Sequence, residues 1–574
     1  MVVRKLGLIV ACVFVMSLGT AWAQSESRIR VVTPSVERLE NDLKWLIELS
    51  PDPTLKKQWK RLKEDILDAF TQGVDLSKPA SIDLVFRKDE LAREFRIPIS
   101  DLAGKNGFLN NITGMGFKID AITKGSFYQI AEKKGKNPFY LRYDKGYGWI
   151  YTLKNAVPAN PPAAMEELAP LLDLKKDIVA EIKNNADGLA ARRDNFKELR
   201  KQFESLIKFR RNEDQYAFEL RKLTLTQQLN EVERFLVEAQ EILATWNTTT
   251  EGQNPSGRGE FSLTALSGTD LEKSVEEFAT KPSYFANVEL HKDPIVSGRV
   301  VFPLDSVRKT HIKDFYKSVR PALEGEIAKR PGKTDEQKAA LKQATTAFLD
   351  ILNDGIELGV VDSFIDSHPN AAGKDVLICG IRAANGKAVD EIIKLLPKIK
   401  ADWQFKLNAE EHGGVSIHEL TVPKSRLESF QKIFAGETVM YVGTSKDAVW
   451  GAAGVDCLQH LKEAIDKTAQ PAPEKVDPVV ISYQVQVAKL VTLMEVVEKE
   501  APKGNDKPSK EEQQRQKDLE KYRKLAQTSM AGCNSLMQGE LKRTEKKIEG
   551  FLEVNECVLK YVGSIIGDGV KQLQ

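Results

Sequence analysis

Short segments recur in the same order in the two halves of the 574-residue chain, and this repetition constrains the fold more than any other feature. The matching segments are 30–32 and 299–301, 67–76 and 349–358, 117–121 and 405–409, and 154–157 and 446–449. The offset between them grows slowly along the chain, as small insertions would make it grow. An ordered internal repeat predicts a tandem duplication. We place its units at residues 28–286 and 297–574.

Both units show the same sequence of predicted elements. Each opens with two segments in which apolar residues recur every three or four positions, as in amphipathic helices. These helices are predicted at 36–49, 55–70, 307–323 and 335–352. Segments typical of strands follow, among them 81–86, 95–99, 355–365 and 375–383. Several predicted strands are joined by glycine turns, which favour hairpins. The mixture predicts an α+β fold in which helices cover an antiparallel sheet.

The two units should superpose if the duplication is correct. We expect Gly73 to lie over Gly355 and Lys154 over Lys446. A long helical pattern at 189–246 interrupts the repeat, with apolar residues at three-four spacing typical of a coiled coil. It predicts an amphipathic helical hairpin inserted in the first unit. Two interpretations stay open: the hairpin is a layer of its own unit, or it is an arm that binds a partner.

Residues 1–23 have the features of a secretory signal peptide. Arg4 and Lys5 precede an apolar run, and Ala21-Trp22-Ala23 matches the small-x-small cleavage pattern. The apolar run falls short of the roughly 20 residues that span a bilayer. An uncleaved anchor and a lipoprotein signal at Cys12 are the alternatives. We expect an exported, soluble product without a membrane span, in the periplasm or outside the cell.

The charge balance bears on the class of partner. The chain has 84 Lys and Arg against 82 Asp and Glu, and the leader removes two of the positive charges. Binding to nucleic acid is driven mainly by neutralising phosphates with clustered positive charge. We therefore expect no nucleic-acid partner, and instead an unknown protein or a component of the cell envelope.

No motif in the sequence specifies a reaction. The densest polar group comprises His412, His418 and Glu419 on either side of a Gly-Gly turn, where two imidazoles and a carboxylate could bind zinc. A solvated hairpin tip is the alternative that we favour. Cys457 and His460 lie one helical turn apart, as a nucleophile and its base could, but an oxidising compartment argues against a catalytic thiol. We expect no catalytic residue, no cofactor and no stoichiometric transition metal.

Four cysteines remain after the leader, at 379, 457, 533 and 557, and they permit three complete pairings. Segments 536–543 and 548–554 predict a hairpin that turns at 545–546. Cys533 and Cys557 then face each other just past its open end, within reach of a disulfide. The alternative is that Cys557 is an ordinary buried thiol of the last helix. We predict the Cys533–Cys557 bridge.

Segments 359–362, 375–384, 413–418 and 439–449 together resemble a pattern in large exported proteins of planctomycete-type bacteria. The resemblance covers most of the chain and implies export and fold, but no chemistry, since that family has no assigned activity. We expect a protein that acts by binding or as a structural component of the envelope, rather than an enzyme. The alternatives are an extracytoplasmic hydrolase of envelope polymers or peptides, and a small-ligand site between the two units.

Overall fold

A computed structural model describes residues 27–50, 53–64, 68–87, 90–132, 138–209, 213–250, 252, 255–329, 333–369, 373–423, 434, 438–491 and 510–573. The predicted signal peptide at 1–23 lies outside the described residues. The chain forms two compact units. One contains the chain up to Ile207, Glu231–Glu272 and the residues from Glu553 on, and the other contains Lys208–Asn230 and Lys273–Leu552.

The first unit is an antiparallel sheet with helices packed on it. Its described strands are β1 (Ser27–Thr33), β2 (Ala80–Arg87), β3 (Glu90–Pro98), β4 (Phe117–Thr123), β5 (Phe127–Glu132), β6 (Phe139–Asp144), β7 (Tyr147–Tyr151), β8 (Ile178–Lys183), β9 (Ala239–Thr249) and β10 (Ser256–Ala265). They pair in the order β4-β5-β6-β7-β3-β2-β1-β8-β9-β10. The helices of this part of the chain are α1 (Val36–Leu49), α2 (Pro53–Leu62), α3 (Asp68–Thr71), α4 (Phe108–Gly114), α5 (Ala164–Leu172) and α6 (Leu189–Leu206).

The second half of the chain repeats this pairing order. Its described strands are β11 (Val296–Pro303), β12 (Val360–Pro369), β13 (Asp375–Arg382), β14 (Gln404–His412), β15 (Val415–Thr421), β16 (Val439–Thr444), β17 (Ala448–Gly454), β18 (Val479–Gln486), β19 (Leu536–Thr544) and β20 (Lys547–Asn555). They pair as β14-β15-β16-β17-β13-β12-β11-β18-β19-β20. The remaining helices are α7 (Gln215–Glu233), α8 (Asp270–Glu277), α9 (Ser306–Lys329), α10 (Asp335–Ile356), α11 (Val389–Ile399), α12 (Cys457–Thr468), α13 (Lys510–Ser529) and α14 (Glu556–Leu573).

The predicted α+β class with an antiparallel sheet is confirmed, but the predicted helical hairpin at 189–246 is wrong at its C-terminal end. Helix α7 ends at Glu233, a short π-helical turn follows, and residues Ala239–Thr249 form strand β9. The three-four spacing of leucines continues into this segment, yet the segment also contains Trp246 and several threonines, which favour strands. Residues 239–249 are a strand because they pair with β8 on one side and with β10 on the other.

The two helices of this segment fall in different compact units. Helix α6 packs on the first unit, where Phe196 and Leu199 are buried against Val237 and beside Ile29 of β1. Most of α7 belongs to the second unit, where the Gln227 side chain donates a hydrogen bond to the carbonyl of His311. The compact units therefore differ from the predicted domains 28–286 and 297–574. Most of α7 lies in the first half of the chain but belongs to the second unit, and the C-terminal helix α14 belongs to the first unit.

Only some of the repeated segments occupy corresponding elements. Residues 30–32 and 299–301 lie in β1 and β11, and 117–121 and 405–409 lie in or next to β4 and β14. The residues of the two other pairs differ in their local structure. Gly73 has φ +81, whereas Gly355 is inside helix α10. Lys154 follows β7, whereas Lys446 precedes β17. A match of a few residues does not fix a structural correspondence, and the order of strand pairing is the stronger criterion.

A large core of the second unit lies between the sheet and helix α12. Buried residues of β12, β13, β15 and β17, among them Phe364, Ile378, Ile417 and Trp450, pack together with Leu461 of α12. Phe285 and Val288, from the segment before β11, belong to the same core. This segment and α12 are therefore held on one face of the sheet. In the part of the chain that the structure describes, no helix combines the length and apolarity needed to cross a membrane.

Helix α14 packs on α1 and α2 through a close approach at one glycine. A Cβ atom at Gly563 would lie 1.9 Å from the carbonyl oxygen of Leu46, and the buried hydroxyls of Ser50 and Ser564 lie 2.8 Å apart. A side chain at position 563 would force the two helices apart, which makes glycine necessary at this crossing.

We predict that Gly563→Ala destabilises the first unit by about 1–3 kcal/mol, the usual cost of overpacking a tight contact. Gly325→Ala is the matched control. Gly325 is also helical, and a Cβ there would meet nothing within 4 Å. The control should be neutral or stabilising by up to about 1 kcal/mol because alanine is the better helix former. Denaturant unfolding of both variants measures the difference, and equal effects would contradict the proposed helix crossing.

Candidate metal-binding site

The structure does not bring together the three zinc candidates His412, His418 and Glu419. His412 ends β14 on an exposed hairpin, where its Nε2 lies 2.8 Å from Oδ1 of Asp466 on α12. His418 and Glu419 are neighbours on β15, so their side chains point to opposite faces of the sheet. Each of the two histidines has its own carboxylate partner, and they do not share a ligand position.

His418 is 1% exposed and is fully engaged in a local network. Its Nδ1 accepts a hydrogen bond from the backbone N–H of Asn408 at 3.2 Å. The proton of the neutral ring is therefore on Nε2, which lies 3.1 Å from Oδ1 of Asp390 and 3.1 Å from Oγ1 of Thr444. The network holds the bulge at Asn408, which has φ +47. We conclude that His418 has a structural role.

The four described cysteines are of two kinds. Cys533 and Cys557 are both disulfide-bonded. Cys379 and Cys457 remain thiols. Cys379 donates to the carbonyl of Gly451 at 3.7 Å, and burial raises the pKa of its thiol, so this cysteine is a poor nucleophile.

Within the described residues, one set of three side chains has the arrangement of a metal site: His291, Asp366 and His368. One ligand atom from each of the three lies within 4.8 Å of the others. Oδ2 of Asp366 is 2.6 Å from Nδ1 of His291 and 3.0 Å from Nδ1 of His368. The two imidazole rings are stacked, with centroids 3.3 Å apart. Neutral imidazoles and a carboxylate are typical ligands of zinc and similar ions.

The polar groups of this cluster are buried without a full set of hydrogen bonds. His368 is 3% and Asp366 4% exposed, whereas the His291 side chain is 51% exposed. Among the described residues Nε2 of His368 has no hydrogen-bond partner, although buried polar atoms nearly always have one, and its Nδ1 has only the Asp366 carboxylate beside it. Burial and the neighbouring His291 lower the pKa of His368, which keeps its ring neutral. In a neutral imidazole one of the two ring nitrogens carries a lone pair that can bind an ion.

Strand β12 and the segment before β11 position the three side chains. Asp366 and His368 are two residues apart on β12, so they point to the same face of the sheet, as does the buried Phe364. The backbone N–H of His291 donates to Oδ1 of Asp366 at 3.2 Å, which directs Oδ2 toward the two rings. Hydrogen bonds that orient a ligand in this way are usual around metals.

Sequence reasoning missed this cluster because the predicted strand 355–365 stopped before Asp366. The strand in fact continues to Pro369. An Asp-x-His pair on a continuing strand is the signal that would have found two of the ligands, because alternate residues share a face. No local signal points to His291, which lies 75 residues away along the chain.

A fourth histidine lies beside the cluster. His460, in the first turn of α12, has its ring centroid 5.3 Å from that of His368, with the rings at 78°. Its Nδ1 is 3.8 Å from Oε2 of Glu463, which is too far for a hydrogen bond. Three of the chain's six histidines therefore converge at one place in the second unit.

Comparison with known proteins gives no relative. No protein-family model, no curated protein and no solved structure matches the chain. The resemblance to exported planctomycete proteins therefore stays a prediction.

The first unit contains a pair of carboxylates near α1. Oδ1 of Asp177 lies 2.5 Å from Nε of Arg38, and its other oxygen accepts the backbone N–H of Thr248. Oδ2 of Asp42 is buried and has no hydrogen-bond partner in the described structure. Burial, followed by the negative charge of Asp177, raises the pKa of Asp42 to about 6. Asp177 has polar partners for both of its oxygens, whereas one oxygen of Asp42 has none. Because the pKa of Asp42 is raised by folding, the stability of the first unit depends on pH.

We predict that Asp42→Asn raises the melting temperature of the first unit at pH 7.5. A raised folded-state pKa means that the protonated carboxyl stabilises the fold below about pH 4, the unfolded value, and that this stabilisation is lost as the pH rises through about 6. The gain from asparagine should therefore shrink to nothing near pH 4. The control is Asp120→Asn on exposed strand β4, for which we expect no such trend. A pH-independent effect at Asp42 would refute the assignment.

Proposed function

We propose that this is an exported protein whose second unit binds a transition-metal ion of the zinc class through His291, Asp366 and His368. The convergence of two imidazoles on one carboxylate oxygen carries the proposal. Around a tetrahedral zinc, ligand atoms lie about 3.3 Å apart, given bonds of about 2.0–2.1 Å. To admit an ion, the observed separations of 2.6 and 3.0 Å must lengthen, and the stacked rings must turn so that their in-plane lone pairs converge. The exposed edge of His291 provides the path of entry.

The proposal replaces the expectation that the protein holds no transition metal. That expectation depended on histidines that are few and scattered in the sequence. The count is low, but the fold concentrates these residues: Asp366 lies 75 residues from His291 in the chain and within hydrogen-bond distance in space. Binding, rather than catalysis, remains the class of function that we favour, because the cluster brings together ligand groups for an ion.

We also propose that the two halves arose by tandem duplication, with α6 and α7 as an insertion in the first copy. The same strand pairing order in both halves supports this. Aligning Arg30 with Arg299 places Val85 at the position of Asp366, because Arg28 pairs with Val85 and Ser297 pairs with Asp366. The metal site is then specific to the second copy. A superposition that failed to align these strands would exclude the duplication.

Export is supported by the leader-like residues 1–23 and by the disulfide-bonded state of Cys533 and Cys557. Disulfides persist mainly in oxidising compartments, outside the cytoplasm. The Cys533–Cys557 bridge would close a loop of about 25 residues and stabilise the chain by roughly 3 kcal/mol in the chain-entropy model.

We predict that protein purified from the exported fraction begins at Gln24 and carries a Cys533–Cys557 bridge. The N-terminal mass identifies the cleavage site, and a non-reducing peptide map identifies the pairing. Alkylation before and after reduction is the internal control, because Cys379 and Cys457 should react without reduction once the protein is unfolded. Alkylation of both Cys533 and Cys557 in the unreduced protein would contradict the bridge, and an intact leader would contradict export by cleavage.

We predict that the metal-free protein binds a single Zn²⁺ per chain, measured by calorimetry and by elemental analysis after dialysis. His291→Ala and Asp366→Asn should weaken binding by at least the roughly 10–100-fold that is typical when a supporting partner of a metal ligand is lost. At a free concentration of 100 times the Kd, zinc should stabilise the wild type by about 2.7 kcal/mol.

The control for this experiment is His412→Ala. His412 is a histidine of the same unit with a carboxylate partner, but it lies outside the cluster. Its affinity for zinc should equal that of the wild type. Because the His291 side chain is half exposed, its removal should leave the fold intact, which the melting temperature without metal verifies. Equal affinity of all variants, or no binding by the wild type, would exclude the proposed site.

A further inference from the structure

His460 lies beside the proposed metal site. Its ring is edge-on to that of His368, with the centroids 5.3 Å apart. The His460 side chain is 28% exposed, so part of its ring remains accessible while part faces the cluster. The helix that carries it, α12, packs on β13 and β17 through the buried Leu461. The position of His460 is therefore fixed by the core of the second unit.

The interactions of His460 leave its ring free to turn toward the cluster. Its nearest carboxylate, on Glu463, is 3.8 Å from Nδ1, which is a weak contact between partly exposed groups. A change of side-chain torsion costs little where no hydrogen bond is broken. By contrast, the ring of His418 is bound at both nitrogens and has no such freedom.

We propose that His460 is the fourth ligand, so that the ion is bound by three imidazoles and one carboxylate. This inference rests on the proposed function. Four protein ligands complete a tetrahedral zinc site and leave no position for a reactive water. The site would then hold the ion and connect α12 to β12 and to the segment of His291, rather than activate water for hydrolysis. The ligand class is a divalent ion that accepts tetrahedral nitrogen and oxygen coordination, such as Zn²⁺ or Co²⁺.

The alternative arrangement makes a different prediction. If only His291, Asp366 and His368 bind the ion, the fourth position is taken by water. Three protein ligands and one water are the arrangement of catalytic zinc sites, in which the metal lowers the pKa of its water. The role of His460 thus separates a binding protein from an extracytoplasmic hydrolase.

The test uses the full mature chain loaded with Co²⁺ and, in parallel, with Zn²⁺. Four-coordinate Co²⁺ absorbs visible light much more strongly than five- or six-coordinate Co²⁺, so the spectrum reports the number of ligands. We compare the wild type with His460→Ala and His460→Gln, and use His412→Ala as the matched control from the same unit. Circular dichroism and the melting temperature without metal check that each variant is folded.

We expect the wild type and His412→Ala to give the strong four-coordinate spectrum. Both His460 variants should bind zinc roughly 10–100-fold more weakly, and their Co²⁺ spectra should lose intensity as water replaces the imidazole. Unchanged affinity and spectrum in both His460 variants would overturn the inference while leaving the three-residue site intact. Failure of the wild type to bind either ion would refute the proposed function itself, which is a distinguishable result.

Discussion

Two buried aspartates on strand β12 determine the arrangement of the second unit around its candidate site. Asp362 and Asp366 are 1% and 4% exposed. Asp362 accepts hydrogen bonds from the hydroxyl of Ser283, at 2.8 Å, and from the backbone N–H of Tyr284. A buried carboxylate is costly unless hydrogen bonds compensate it, and burial still raises the pKa of Asp362. The hydrogen bonds that compensate the burial of these carboxylates come from residues 283, 284 and 291, so they also fix the path of the chain between those residues.

The metal-binding geometry follows from that path. Once Asp362 has fixed the start of the segment, Phe285 and Val288 enter the core, and the backbone of His291 reaches Asp366. One oxygen of Asp366 accepts the backbone N–H, and the other is directed toward both imidazole rings. Asp366 thus orients one candidate ligand and is itself a candidate ligand. The cluster is preorganised because its position depends on the packing of the core and not on the loop alone.

The sequence predicted elements well where local signals agree with the fold. Helix α1 has the predicted bounds, Val36–Leu49, because Ser35 accepts a hydrogen bond from the backbone N–H of Arg38 and caps an amphipathic segment. The predicted strand 355–365 begins too early, within helix α10, and ends before β12 does. Its end was missed because the last residues of β12 are polar, and in a soluble chain polar residues normally indicate a turn. The polar residues are buried here because of contacts with a distant segment, and periodicity contains no information about such contacts. The same reason explains why the candidate site could not be assembled from the sequence.

Under the proposed duplication, the two copies use equivalent positions for different chemistry. In the first unit, Arg30 pairs with Asp83, which is fully buried and also contacts Arg96. The register places Phe364 of the second unit at the position of Asp83, since Phe364 pairs with Arg299 as Asp83 pairs with Arg30.

The phenylalanine at this position makes different contacts from the aspartate of the first unit. Phe364 packs against Phe285, with ring centroids 5.0 Å apart, and Arg299 donates instead to the carbonyl of Val288. Both contacts attach the segment that contains Phe285 and Val288, and that ends at His291, to strands of the sheet. The exchange of a buried ion pair for an aromatic contact therefore binds this segment to the sheet, and it is this segment that delivers the first histidine of the cluster. Under the proposed duplication, the candidate metal site and the difference in the core would both result from one divergence between the copies.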